Sequence, residues 1–143
     1  MITTYEFPNQ WNWRIFLAIT SDNESVSDIL DHLNDYESCK FDTTYKDETI
    51  EAPCYVHDLK NLIGVICLNK YDFNTDDIAV CVHELTHLMI SIAGANNCEI
   101  NLGTTECWAY FMGNMIKMIL EILNGYNDEL LSNNSGKENQ SDE

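Results

Sequence analysis

Cationic side chains are scarce in this chain. Seven Lys and Arg stand against 24 Asp and Glu among 143 residues, a net charge of −17. That shortage removes the basic footprint with which proteins hold DNA, RNA or anionic membrane, all of which this chain repels. The acids are spread along the sequence and read as a solvated surface, with a weak attraction for cations or a basic partner. The six cysteines, at 39, 54, 67, 81, 98 and 107, include no CxxC pair. No basic, apolar leader opens residues 1–12, so export is not expected and the thiols are expected free in a reducing cytoplasm. No uninterrupted apolar run is long enough to span a bilayer. The best stretch, 107–123, is broken by Asn114, Lys117 and Glu121. Internal repeats are absent, and the length suits one domain with a real core.

Local patterning places the elements. Residues 12–20 are rich in aromatic and branched side chains and read as a first strand, with Trp11 and Trp13 two apart on one core face. Residues 21–24 are a turn. Val26, Ile29, Leu30 and Leu33 recur at helical spacing, which predicts a helix from Ser25 to about Asp35. Residues 39–51 are polar and read as a loop or weak hairpin. Residues 54–57 and 62–71 are two further strands around a turn at 58–61. A second helix follows, capped by Thr75 or Asp76 and stopped by Gly94. A third starts near Thr104 or Thr105 and ends at Gly125. The fold class is α+β, in the order β-α-β-β-α-α. A single domain over 1–126 is followed by a polar, acidic tail over 127–143, expected to be disordered. The third helix is apolar nearly all round, which favours burial or a homo-oligomer contact through 104–125.

One motif carries chemistry. His83-Glu84-Leu85-Thr86-His87 is an HExxH sequence inside the predicted second helix. Residues four apart share a helix face, so both imidazoles point the same way and can share a Zn²⁺ ion. Glu84 adjoins the first of them. The flanks are apolar, and a histidine pair buried there without metal or partners would be costly. Tight zinc needs a third protein ligand. The HExxHxxGxxH arrangement is excluded, because Ile90 and Ala93 occupy the Gly and His places. Glu106, in the first turn of the third helix, is the candidate, and Glu99 in the preceding loop is its nearest rival. Tyr110 lies one turn beyond Glu106 on the same face. His32 and His57 read as ordinary surface or strand histidines.

Val82-His-Glu-Leu-Thr-His-Leu88 with Thr105-Glu-Cys-Trp-Ala-Tyr-Phe-Met-Gly113 resembles the gluzincins, metallopeptidases that combine HExxH with a downstream Glu. Glu106-Cys-Trp-Ala-Tyr110 also resembles the small HExxH proteins of unknown role encoded by bacteriophages. The likeness covers roughly residues 54–125. It implies a minimal zincin-like domain, with a small antiparallel or mixed sheet packed on the HExxH helix and an antiparallel helix after it. It further implies Zn²⁺ held by His83, His87 and Glu106, with Glu84 as general base of peptide or amide hydrolysis. Full-size members use a Tyr or His, often from further downstream, to stabilise the oxyanion, and Tyr110, Tyr126 and His57 are the residues here that could substitute for it; strand 64–68 is the cleft edge along which a peptide lies. The other reading is a catalytically silent zincin fold that binds a partner protein, in the host cytoplasm if phage-encoded.

Overall fold

The structure is a computed structural model. It describes the chain except residues 22–23, 42–49, 51, 70–73 and 142–143, and gives the backbone alone for 126–141. Most of the polar 39–51 segment, the centre of the 21–24 turn, the end of the strand expected to reach Tyr71 and the Tyr126 side chain lie outside the described residues.

Four strands and three helices form an α+β fold: β1 (Ile2–Phe7), β2 (Arg14–Thr20), α1 (Val26–Tyr36), β3 (Cys54–Asp58), β4 (Ile63–Asn69), α2 (Thr75–Ala95) and α3 (Thr105–Ser141). The sheet order is β1-β2-β4-β3. β1 is antiparallel to β2, β2 is parallel to β4, and β3 is antiparallel to β4. A parallel pair needs a crossover, and α1 lies within the one that joins β2 to β4. Both central strands are buried on both faces, which explains their near-continuous apolar sequences.

β1 was not anticipated. Its Ile-Thr-Thr-Tyr-Glu-Phe sequence carries the branched and aromatic residues that favour strands, and only its lack of an apolar alternation hid it. Its presence makes β2 interior. β4 is interior too, so strand 64–68 is not an edge as the sequence reading had it. Among the described residues the edges are β1 and β3, and β3 is the one packed beside α2.

Pleating divides the core into two layers. Phe16, Ala18, Val65 and Cys67 face Ile29, Leu30 and Leu33 of α1. Ile15, Leu17, Ile19, Ile66 and Leu68 face α2 and α3, meeting Leu85, Leu88, Ile92, Trp108, Met115, Ile119 and Leu123. Each fully buried Leu or Ile adds about 1.5–3 kcal/mol relative to exposure. α3 thus buries one stripe, while Tyr110 is 70% exposed. Trp13 is core as expected, but it precedes β2. Trp11 packs on the same core, stacked on Trp108 with centroids 5.0 Å apart, and Asn12 between the two tryptophans takes φ 59°.

The helix ends are set by polar side chains. Ser25 and Asp28 form a reciprocal capping box on α1. Asn74, rather than Thr75 or Asp76, caps α2 by accepting from the Asp77 amide at 2.9 Å. α2 runs past Gly94 to Ala95. Its left-handed residue is Asn97 (φ 52°), and the Cys98 amide closes back on the Ala93 carbonyl at 2.9 Å, a Schellman end. α3 continues past Gly125 to Ser141, since no described glycine has positive φ and Gly125 therefore supplies no left-handed stop. Arg14 clasps three elements. Its guanidinium donates to both Glu6 oxygens at 2.7 and 2.9 Å and to the carbonyl of Glu37, the C-cap of α1, at 2.6 Å. The same pair holds the Glu6 carboxyl below its ordinary range.

α2 is 21 residues long with a mean hydropathy of 1.5 in its most apolar window, so by length and composition it could cross a membrane, which residues 107–123 could not. In this fold its apolar stripe lies on the sheet. Gly64 marks the closest approach. A Cβ there would stand 2.6 Å from Leu88 Cδ1 and 3.3 Å from the Tyr55 ring, and Leu88 is fully buried, so one of these neighbours must shift. Gly64→Ala is therefore expected to lower unfolding stability by about 1–3 kcal/mol. Urea unfolding of the pair measures it, and an unchanged midpoint would show that α2 is free to shift on β4.

Candidate metal centre on α2

The helical period decides which side chains reach solvent. Cys81, Leu85, Leu88 and Ile92 are drawn onto the sheet, so His83, His87, Ile90 and Gly94 form the outer stripe. Both histidines are exposed, where the apolar flanks had predicted an enclosed pair. The flanks are apolar because the other face of α2 is buried, not because the motif is. Exposure removes the energetic need for a metal, so the case for one rests on geometry.

That geometry is specific. His83 Nε2 and His87 Nε2 face each other at 3.1 Å, with ring centroids 4.8 Å apart and the planes nearly perpendicular. Two nitrogens bound to one tetrahedral ion at about 2.0–2.1 Å stand about 3.3 Å apart, so the donor pair fits a shared Zn²⁺. Thr86 Oγ1 donates to the Val82 carbonyl at 3.0 Å, and Ser91 Oγ donates to the His87 carbonyl at 2.9 Å, which engages the small polar side chains with the helix backbone.

Glu84 is half-buried. Contact between the Cys54 and Cys67 thiols lowers Cys54 and, with burial, raises Cys67, while the Glu84 charge is a lesser upward influence on both and on Cys81. Burial is the larger cause for Cys81, which is pushed up to about 11. His57 stands on β3, its ring stacked on Tyr55 at 5.3 Å. It lines an open groove with Leu59, Leu62, Ile90, Ser91 and Gly94, one helical turn beyond His87. The sequence does not show this groove, because recognising β3 as the edge requires the parallel pairing of β2 with β4. His32 lies on α1 against Tyr36, in the opposite layer.

Glu106 and Tyr110 are both exposed on α3. Among the described residues no third His, Cys, Asp or Glu joins His83 and His87 in a metal-sized cluster. The helical hairpin explains why. A small cavity between the helices is lined by Asp77, Cys81 and Leu85 of α2 and by Ile116, Ile119 and Leu123 of α3, so the motif lies level with the middle of α3. Glu106 precedes Ile116 by ten residues, about 15 Å along the axis. Glu99 is also exposed, in a loop whose Thr104 hydroxyl donates to the Glu99 carbonyl at 2.6 Å.

No family model matches this chain, and no curated protein or solved structure matches it.

Zinc titrated into metal-free protein is expected to bind at about one equivalent, and His83→Ala should weaken it at least tenfold, as loss of one of few ligands does. Calorimetric titration of Glu106→Ala separates two arrangements. With α3 as placed here affinity is unchanged, whereas a tenfold loss would mean that α3 moves to bring the carboxylate to the pair.

Proposed function

We propose that this chain is a zinc-dependent peptide hydrolase of the HExxH kind. The observation that carries the reading is the convergence of His83 and His87 Nε2 at 3.1 Å with Glu84 one residue from the first ligand. His83 and His87 hold the ion. Glu106 is the third ligand that the gluzincin resemblance assigns, and it reaches the pair only if α3 shifts.

Bound zinc supplies a Lewis acid that acidifies water and polarises a carbonyl. The chain's own groups do the rest. Glu84 takes the proton of the attacking water on its carboxylate and returns it to the leaving amide nitrogen. β3, an edge of the sheet among the described residues, lies beside α2, and an extended peptide is held in the groove between them. His57 and the Ile90–Gly94 stretch face that strand's end. Tyr110, at 70% exposure, is the substitute oxyanion donor on α3, and it too depends on movement of α3. The partner is a peptide or protein; the charge of −17 opposes nucleic acid and anionic membrane. A cytoplasmic setting, the host's if the chain is phage-encoded, belongs to the same reading.

A second reading has its own observation. Glu106 and Tyr110 stand apart from the histidines, which favours a zincin-like module that keeps zinc and a partner surface without turnover. Glu84→Gln separates the two. The amide keeps the shape of the carboxylate and cannot accept the proton, so zinc content and fold should persist while cleavage of a mixed peptide library drops about 10²–10⁴-fold. Cleavage unaffected by the substitution would overturn Glu84 as base. No cleavage by the unaltered zinc-loaded protein would establish the binding module.

A further inference from the structure

Cys54 and Cys67 are directly opposite each other in the β3–β4 ladder. Opposed residues in an antiparallel pair have Cα atoms about 4.5 or 5.5 Å apart, and both values fall within the span a disulfide bridges. Opposed side chains also leave the same face of the sheet, here the α1 face, where both residues belong to one cluster. Cys67 is fully buried, while Cys54 is half-exposed at the start of the edge strand. Cys98 and Cys107 lie outside the sheet, and Cys39 and Cys81 face no cysteine in a strand pair.

We propose that Cys54 and Cys67 are a thiol–disulfide pair, a modification site whose oxidant is a low-molecular-weight disulfide such as glutathione disulfide. The exposed and buried positions divide the roles. The Cys54 thiolate attacks one sulfur of the small disulfide, breaking its S–S bond and releasing one small thiolate, which takes the proton Cys54 gave up. Cys67, deprotonated as its proton passes to solvent base, then attacks the Cys54 sulfur of the mixed disulfide and expels the second small thiol. Two protein thiols are oxidised and one small disulfide is reduced to two thiols. Contact with the Cys67 thiol lowers Cys54 from its ordinary range, so Cys54 is the better nucleophile, while the same contact and burial push Cys67 well up. The link closes the β3–β4 hairpin covalently and pins the edge strand that bounds the α2 groove.

The test uses the whole chain and needs no metal. Reduced protein is incubated with excess glutathione disulfide, quenched in acid and mapped by peptide mass spectrometry. The expected product is a peptide pair joining Cys54 to Cys67, two hydrogen masses lighter than the reduced peptides. Cys107, exposed and unopposed, should stop at the glutathione adduct. In Cys67→Ser the Cys54 adduct should persist unresolved. In Cys54→Ser the buried Cys67 should stay a thiol in the folded protein. A persistent Cys54 adduct in the unaltered chain, or modification of Cys107 with Cys54 still reduced, would overturn the pairing.

Discussion

The packing of Leu88 over Gly64 is the contact on which the rest of the structure depends. A side chain at position 64 would hold α2 away from the sheet. With none there, the helix settles close enough for Leu85, Leu88 and Ile92 to meet Leu17 and Ile66 in one cluster, and α3 can then close over its other flank with Trp108 and Met115. The rotation of α2 about its axis follows from that seating. Once its apolar stripe is committed to the sheet, the HExxH histidines have one direction left, outward and beside β3. The site is a by-product of the core, in that no interaction of the histidines themselves is needed to aim them.

The same seating explains the division between the near and distant parts of the candidate site. His83, Glu84 and His87 share one helix, and their relation is fixed by a helical turn. Glu106 and Tyr110 depend on the level at which α3 pairs with α2, and that level is set by large side chains such as Ile116, Ile119 and Leu123 filling the space beside Cys81 and Leu85. Local geometry is therefore strongly determined, and the reach between helices is determined by packing far from the charged groups.

This is also the limit of what could be read from sequence. The helix over 26–36, the β3–β4 hairpin, the HExxH helix and the α+β class all follow from periodicity and turn residues, which act over a few positions. The strand at Ile2–Phe7 was missed because three successive polar-capable residues, Thr3, Thr4 and Tyr5, mask its alternation. The parallel pairing of β2 with β4 is a long-range contact that no local pattern announces, and for that reason β4 rather than β3 reads as the edge. The histidines were expected inside because an apolar sequence around a motif does not say which face of the helix is covered. Asn97 ends α2 in the role expected of Gly94, since an Asn can adopt the left-handed conformation through its short polar side chain.

The parallel pairing of β2 with β4 has a consequence in time. Its register joins Arg14 to Ile63 and Thr20 to Asn69, so the two central strands meet only after a long intervening chain closes. The flanking antiparallel pairs, β1 with β2 and β3 with β4, are each joined by a short connection and cost far less loop entropy to form. Folding that begins as two separate hairpins and ends by zipping their inner strands together follows from this contact order. Until that seam closes, β2 and β4 are each bare along one side, and these are the most apolar strands in the chain. The late step of folding is thus also the one in which the acidic surface matters most, because mutual repulsion of chains carrying −17 keeps two such unfinished seams from finding each other.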